Sequence, residues 1–443
     1  MSIYNSEYHF DTLKIKAGYD PKEHNNAVSV PIYETASYEI GTAERYDRLA
    51  AAEESGNLYS RVSNPTIKVL EDRIAALDHA EAAVAVGSGV AAITFTLLAL
   101  AEYGGRILTT YQLYGGVVHH MNYLLPRFGV QFDKVENGSS VEAFEKAIKE
   151  DTKAIYVESV TNPMATVTDI EALAELAHRH NIPLVVDNTL PTPYLLNPID
   201  HGADIVVYSA TKGISGHGNA IGGLVVDSGK FNWNNGKFPQ FTDENIAIKG
   251  RHDNGRSYLE VFGKSAFAGK IRTDYLTNFG AALSPFNAYL ILLGIETISE
   301  RVEKQVKNAR EIAKFLESRP EVDWVSYPGS SYYKYEVLAK KYCPNGVGQL
   351  YSFGLKGTEE NIYKFVNAVK VFSYQLNLGD ARSLVANVSR TSHGELTEEE
   401  LKRADIPANA IRISIGIEDV RDLKNDLARA LDIAFHGAAQ EVA

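Results

Sequence analysis

With one cysteine in 443 residues, Cys343, the chain cannot close an internal disulfide. Long apolar runs are also missing: the nearest, residues 90–101, is broken by Thr94 and Thr96 and is too short to span a bilayer. No block of Lys or Arg offsets the acidic balance of 56 Asp and Glu against 44 Lys and Arg, a formal net charge of -12. That balance argues against nucleic acid or an anionic membrane as partner. The opening MSIYNSEYHFDTLK lacks the basic and apolar regions of a secretory signal. Together these absences lead us to expect a soluble, cytoplasmic protein. Internal repeats and low-complexity tracts are absent as well, and the length suits a large core and two domains.

The pattern that is present changes three times along the chain. Residues 1–65 are rich in Tyr, Asn, Glu and Gly without sustained periodicity, which predicts an extended arm that needs a surface to lie on. From about 66 to 230, helical and short apolar segments alternate. Ile67, Leu70, Ile74 and Leu77 repeat at helical spacing, and apolar runs begin at Ala83, Arg106, Ala154, Pro183 and Asp204. Such alternation predicts an α/β domain with a mostly parallel sheet flanked by helices. Residues 229–278 are polar and rich in Gly and Asn, and read as an inserted loop region. A long helix with Val302, Val306, Ala309, Ala313 and Leu316 on one face then opens a smaller α+β domain. The expected division is an arm at 1–65, a large domain at 66–297 and a C-terminal domain at 298–443.

Each apolar run ends on polar residues. They are Gly87-Ser88-Gly89, then Glu158 to Asn162, then Asp187-Asn188, then Ser209-Ala-Thr211-Lys212. Ligands of open α/β sheets bind outside the carboxyl ends of the strands. Here those ends offer an anion-binding turn, an amide, a carboxylate, two hydroxyls and an amine, a set that fits a phosphorylated, electron-accepting heterocycle. Taken singly, each has a plainer reading. Gly87-Ser88-Gly89 could be a tight turn rather than a phosphate site at a helix N-terminus. Asp187 could cap the following segment, and Ser209 and Thr211 could be ordinary loop hydroxyls. Lys212 stands apart because Gly213, Gly216, Gly218, Gly222 and Gly223 crowd around it, a density that implies backbone approach to something bulky or a strained loop. No metal site is expected. A nucleotide-binding module is a competing reading, but G-x-G-x-x-G spacing is absent and that reading leaves Lys212 and Asp187 unused.

In combination, YSRVSNPT at 59, GSGVAA at 87, YQLYGG at 111, VDNTLPTPY at 186, YSATKGISGHG at 208 and LSPFNAY at 283 carry a resemblance over nearly the whole chain. The sequence resembles the fold-type I pyridoxal-phosphate enzymes of cysteine and methionine metabolism, a family that includes O-acetylhomoserine sulfhydrylase and the cystathionine synthases and lyases. DSGKFNWNNGKFPQF from 227 and NLGDARSLV from 377 look like the insertion and substrate loop of the sulfhydrylase branch.

The resemblance implies pyridoxal 5'-phosphate as cofactor, with Lys212 as the Schiff-base lysine and proton carrier. It implies Asp187 against the pyridinium nitrogen, Tyr114 over the ring and Asn162 on the phenolic oxygen. Ser88, Gly89, Val90, Ser209 and Thr211 would surround the phosphate, with Tyr59 and Arg61 reaching it from a neighbouring subunit of a homodimer or homotetramer. For Arg61 alone a surface ion pair is the plainer reading. Arg412 and Asn377 would hold the substrate carboxylate, although an internal salt bridge could also account for Arg412. The implied reaction is γ-replacement on O-acetyl-L-homoserine by sulfide or a small thiol, giving homocysteine or methionine and acetate; a cystathionine γ-synthase or γ-lyase is the alternative. Three departures from the family pattern bear on donor choice. They are Arg390 within residues 386–393, Gly213-Ile-Ser after the lysine, and Val117 where a threonine is usual. Arg390 could tune substrate preference or simply face solvent.

Overall fold

The structure, a computed structural model, describes residues 8–50, 53–136, 138, 140–245 and 255–437. Seven strands form the larger sheet: β1 (Ala82–Val86), β2 (Arg106–Thr110), β3 (Gln131–Val135), β4 (Thr152–Glu158), β5 (Leu184–Asp187), β6 (Ile205–Tyr208) and β7 (Gly223–Asp227). Their order is β1-β7-β6-β5-β4-β2-β3. Neighbours from β6 through β3 pair in parallel, and only β7 runs antiparallel to both of its neighbours. The Val, Ile and Leu runs behind these strands are buried, as a sheet covered on both faces requires. Two strands lay beyond the sequence expectation. The edge strand β3 carries Gln131, Asp133 and Lys134 and so shows no apolar run, while β7 offers a short apolar run directly behind glycines.

Helix Pro65–Leu77 starts where the Asn64 side chain accepts the N–H groups of Thr66 and Ile67, and it buries Ile67, Leu70, Ile74 and Leu77 against the sheet. The second sheet contains β8 (Val322–Val325), β9 (Leu350–Leu355), β10 (Ser373–Tyr374), β11 (Leu384–Asn387) and β12 (Ala410–Ser414), in the order β10-β11-β12-β9-β8. Helix Ile298–Glu317 presents Val302, Val306, Ala309, Ala313 and Leu316 to a shared core that joins both sheets. The fold is therefore α/β, with a mostly parallel central sheet and a smaller α+β part behind it.

Among the described residues of the 1–65 segment, helix Phe10–Lys16 packs on the chain's own helix Pro65–Leu77, and the buried Lys14 ammonium binds Glu300 at 2.8 Å. Beyond it residues 28–42 form no helix or sheet strand, with Val28 93% exposed, while helix Ala43–Ala50 departs from the extended arm expected of the segment. Residues 229–278 differ from the loop expected of them. Trp233, Phe238, Phe241, Tyr258 and Phe267 form a buried aromatic cluster, with Trp233 and Phe241 centroids 4.2 Å apart, and short helices Tyr258–Phe262 and Ala266–Lys270 close over it. The aromatics fall at irregular spacing between glycines and asparagines, so periodicity misses the core they build. Part of that segment, 246–254, lies outside the described residues. No helix among the described residues is long and apolar enough to cross a membrane.

Candidate active site

A cavity of about 230 Å³ opens at the carboxyl ends of the parallel strands. Its wall includes Ser88, Gly89, Val90, Tyr114, Asn162, Asp187, Ser209, Thr211 and Lys212, so nine of the residues singled out in the sequence meet at one site. Asn377 and Arg412 join from the second sheet through hydrogen bonds. The Lys212 ammonium donates to Asn377 Oδ1 at 2.8 Å, and Arg412 Nη1 donates to Asn162 Oδ1 at 3.3 Å.

At one end of the cavity, Ser88 caps helix Gly89–Leu100 by accepting the Ala91 N–H. The N–H groups of Gly89 and Val90 begin that helix without intrahelical acceptors, and the positive end of the helix dipole adds to them. Gly89 is needed for fit: a Cβ there would stand 2.6 Å from Ser209 Cβ. Ser209 is held by its N–H to Thr189 Oγ1 at 2.8 Å, and Thr211 by exchanging hydrogen bonds with the Gly222 backbone. The result is a cradle of amides and hydroxyls suited to a phosphate.

Glu158 and Asp187 end β4 and β5 as direct cross-strand neighbours. Asp187 accepts from Thr189 N–H at 2.9 Å and Tyr156 O–H at 3.3 Å. Glu158 accepts the N–H groups of Tyr114 at 2.6 Å and Asn162 at 2.9 Å, which fixes both residues at the cavity wall. Burial, and then the charge of Asp187, push the Glu158 carboxyl well above the carboxylate range. Asp187, half-buried beside Glu158 and paired with no cation among the described residues, suits a positively charged ring nitrogen.

The opposite imbalance occurs at Arg412, in the middle of β12. It is 1% exposed, donates to the carbonyls of Leu376 and Asn377 at 3.2 Å each, and forms no ion pair with any described carboxylate. The internal salt bridge considered above is thus not formed among the described residues, and the guanidinium stays available to an anion. Burial, and then the charge of Arg412, bring the Lys212 amine down to about 8, so roughly a tenth is unprotonated and nucleophilic at pH 7, far more than for an ordinary lysine. Tyr114 remains 40% exposed at the cavity wall, with the His393 ring edge-on to it at 6.4 Å. Burial lowers His393 to about 4, so it backs Tyr114 as a neutral ring.

Two predicted residues are not brought to this cavity within one chain. Tyr59 is 45% exposed, and the Arg61 guanidinium lies over its ring at 5.2 Å on the surface. Arg390 also points outward, pairing with Glu359 at 2.6 Å, which favours its solvent-facing reading. Sequence reasoning did not single out Glu158, Thr189 or His393 for a role. For Thr189 a signal existed, since Asp187-Asn-Thr189 is the spacing at which an Asp accepts the N–H two residues on.

The residues fit pyridoxal phosphate on three separate counts: the amide cradle, the Asp187 carboxylate and the half-buried Lys212 amine on the same cavity wall. Residues 11–432 match the profile of a family described as Cys/Met metabolism PLP-dependent enzyme. The chain is 45% identical over 429 residues to the homocysteine synthase of Schizosaccharomyces pombe, covering 96% of this chain and 99% of the relative. It is 40% identical over 430 residues to the O-acetyl-L-homoserine sulfhydrylase of Leptospira meyeri, covering 95% and 96% respectively. A solved Campylobacter jejuni protein described as an O-acetylhomoserine (thiol)-lyase, which carries N'-pyridoxyl-lysine-5'-monophosphate, superposes with a TM-score of 0.91 at 33% identity. That superposition covers 97% of this chain and 100% of the other.

Proposed function

The chain belongs to the Cys/Met metabolism PLP-dependent enzyme family, and from that premise we propose that it exchanges the acetate of O-acetyl-L-homoserine for sulfide or a small thiol. The products are L-homocysteine, or a thioether such as methionine, and acetate. One observation carries the reading: the Lys212 amine and the carboxylate-free Arg412 guanidinium converge on Asn377 and Asn162 at the rim of the phosphate cradle.

Bound in this cavity, pyridoxal phosphate supplies an electron sink in conjugation with the substrate amino group. The residues around it do the rest. The cradle of Gly89, Val90, Ser209 and Thr211 would hold the phosphate, and Asp187 would supply the anionic partner of the ring nitrogen. Tyr114 would lie on the ring side of the cavity and Asn162 would offer its amide to the phenolic oxygen. Arg412, with Asn377, grips the substrate α-carboxylate and sets the orientation of Cα. As a free amine Lys212 would take a proton from Cα and, once it has passed that proton on, one from Cβ, which permits acetate to leave from Cγ; after sulfur has added at Cγ it would return a proton to Cβ and another would be restored to Cα. Val90, Val117, Ile221, Leu376 and Leu378 line the remaining wall with apolar surface. That wall suits a small neutral nucleophile better than a zwitterionic amino acid, whose charges would need partners there.

We further propose that the protein works in amino-acid biosynthesis in the cytoplasm as a homodimer or homotetramer. Its domains would divide at 65 and 297, and Tyr59 and Arg61 of one subunit would complete the phosphate site of the next. The exposure of both side chains in a single chain supports this arrangement.

The test is a steady-state comparison of sulfide with cysteine, each with O-acetylhomoserine and the cofactor-loaded protein. We expect kcat/KM to be higher for sulfide by at least tenfold. A higher value with cysteine would move the assignment to a cystathionine γ-synthase, and release of an α-keto acid from cystathionine would move it to a γ-lyase.

A further inference from the structure

Helix Ile298–Glu317 is amphipathic, yet its buried face is not wholly apolar. Arg301, Gln305 and Asn308 lie on the side that packs against the core, and all three are buried. Each directs its donors at backbone carbonyls of a different active-site segment. Arg301 Nη1 reaches Gly213 O at 3.1 Å and Nη2 reaches Ile214 O at 3.2 Å. Gln305 Nε2 reaches Asp380 O at 2.8 Å, in the loop of Asn377. Asn308 Nδ2 reaches Gly416 O at 3.1 Å and Glu418 O at 2.9 Å, just beyond the strand of Arg412.

The two loops also lean on one another. The Ala381 N–H donates to Gly216 O at 2.8 Å, and Gly379 sits so close that a Cβ would stand 2.6 Å from Gly213 N. Arg301 forms no ion pair among the described residues; besides Gly213 and Ile214 it holds only Gly294 O and Thr297 Oγ1. A buried guanidinium without a carboxylate is costly where an apolar side chain of similar volume would pack. Its planar fork, however, holds two successive carbonyls in a fixed geometry while also reaching Gly294 O and Thr297 Oγ1, four acceptors that neither an ammonium nor an amide NH2 has donors enough to serve.

From this geometry we infer that Arg301 is a positioning residue: by clamping the two carbonyls that directly follow Lys212, it aims the lysine amine at the reacting carbons. The glycines at 213, 216 and 218 supply no side chains to that loop, so apart from buried Ile214 and Ser215 its backbone depends on outside partners. Misplacement of a catalytic group by about 1 Å can lower rates by about 100-fold.

The inference rests on Lys212 being the cofactor-bearing lysine, and the two fail separately. Borohydride labelling of another residue in the unmodified protein would refute the lysine assignment, whereas the following variants bear on Arg301. Arg301→Lys, Arg301→Gln and Gly216→Ala are compared with the parent, all as cofactor-loaded protein. Gly216 has φ +71°, and a Cβ there would collide with the Arg301 guanidinium, so the third variant displaces the clamp from the other side.

Kinetic constants and the pH midpoint of the visible cofactor band are measured. We expect kcat to fall about 10-fold for Arg301→Lys and about 100-fold for Arg301→Gln. KM for O-acetylhomoserine should stay within about twofold, because Gln305 and Asn308 still hold the Asn377 and Arg412 segments. The band midpoint should move in the same order, with Gly216→Ala behaving like Arg301→Lys. A parental kcat and midpoint in any variant that binds cofactor would overturn the inference. So would a rise in KM as large as the fall in kcat, or loss of cofactor binding in all three variants, since either places Arg301 in folding or binding rather than in aim.

Discussion

Arg412→Leu separates two consequences of one buried charge. Arg412 pairs in register with Ser352 of β9 and Ala386 of β11 and is 1% exposed, its guanidinium making three hydrogen bonds to protein oxygens with no described carboxylate paired with it. If its partner is the substrate carboxylate, the variant loses a charge-assisted hydrogen-bonded pair, about 1.5–3 kcal/mol. That converts to affinity weaker by about 10- to 150-fold. The loss should apply to an unreactive amino acid such as L-norleucine, followed by the absorbance change on binding, and not to the corresponding amine without a carboxylate. The second consequence concerns Lys212. Burial is the larger cause of its depressed value of about 8, and the Arg412 charge adds to it. Removing that charge should move the midpoint upward, though short of the ordinary lysine value because burial remains. In cofactor-free protein the amine attacks only when unprotonated, so the rate of cofactor reloading should rise with pH through about 8 in the parent and at higher pH in the variant. A variant that binds norleucine as tightly as the parent, or whose reloading midpoint stays put or falls, would refute the role assigned to Arg412.

Two further outcomes follow from the placement of surface residues. Arg61→Ala and Lys212→Ala, each inactive alone, should regain roughly a quarter of parental activity when unfolded and refolded together, because half the dimers are mixed and half their sites are intact. No recovery, with mixed dimers shown to form, would put the whole phosphate site within one chain. Arg390→Ala removes an exposed ion pair with Glu359 and should leave kcat/KM for O-acetylhomoserine within about twofold; a larger change would restore Arg390 as a specificity residue.

The strands that carry the site were legible because parallel strands buried on both faces appear as short apolar runs, and their polar ends mark the ligand side. Asp187, Ser209 and Lys212 could therefore be placed at the ligand end of the sheet from position, while their roles came from the family resemblance. β3 and β7 were hidden, one by its polar edge residues and the other by a run too short to stand out among glycines. The aromatic cluster around Trp233 was hidden for a different reason: its rings are gathered by turns, so no helical or strand period links them. Glu158 was visible as a strand-end residue, but its role depends on the register that sets it beside Asp187, a pairing between strands that no local pattern encodes. The Arg301 clamp lies further still from sequence, since its partners are carbonyls 87 and 88 positions away.

The account depends most on Lys212 bearing the cofactor, and one measurement addresses that directly. Protein loaded with pyridoxal phosphate is reduced with borohydride, digested and mapped by mass spectrometry. We expect a single pyridoxyl adduct on the peptide that contains Lys212, the half-buried amine at the mouth of the parallel sheet. An adduct on a different lysine, or protein that takes up no cofactor, would contradict it.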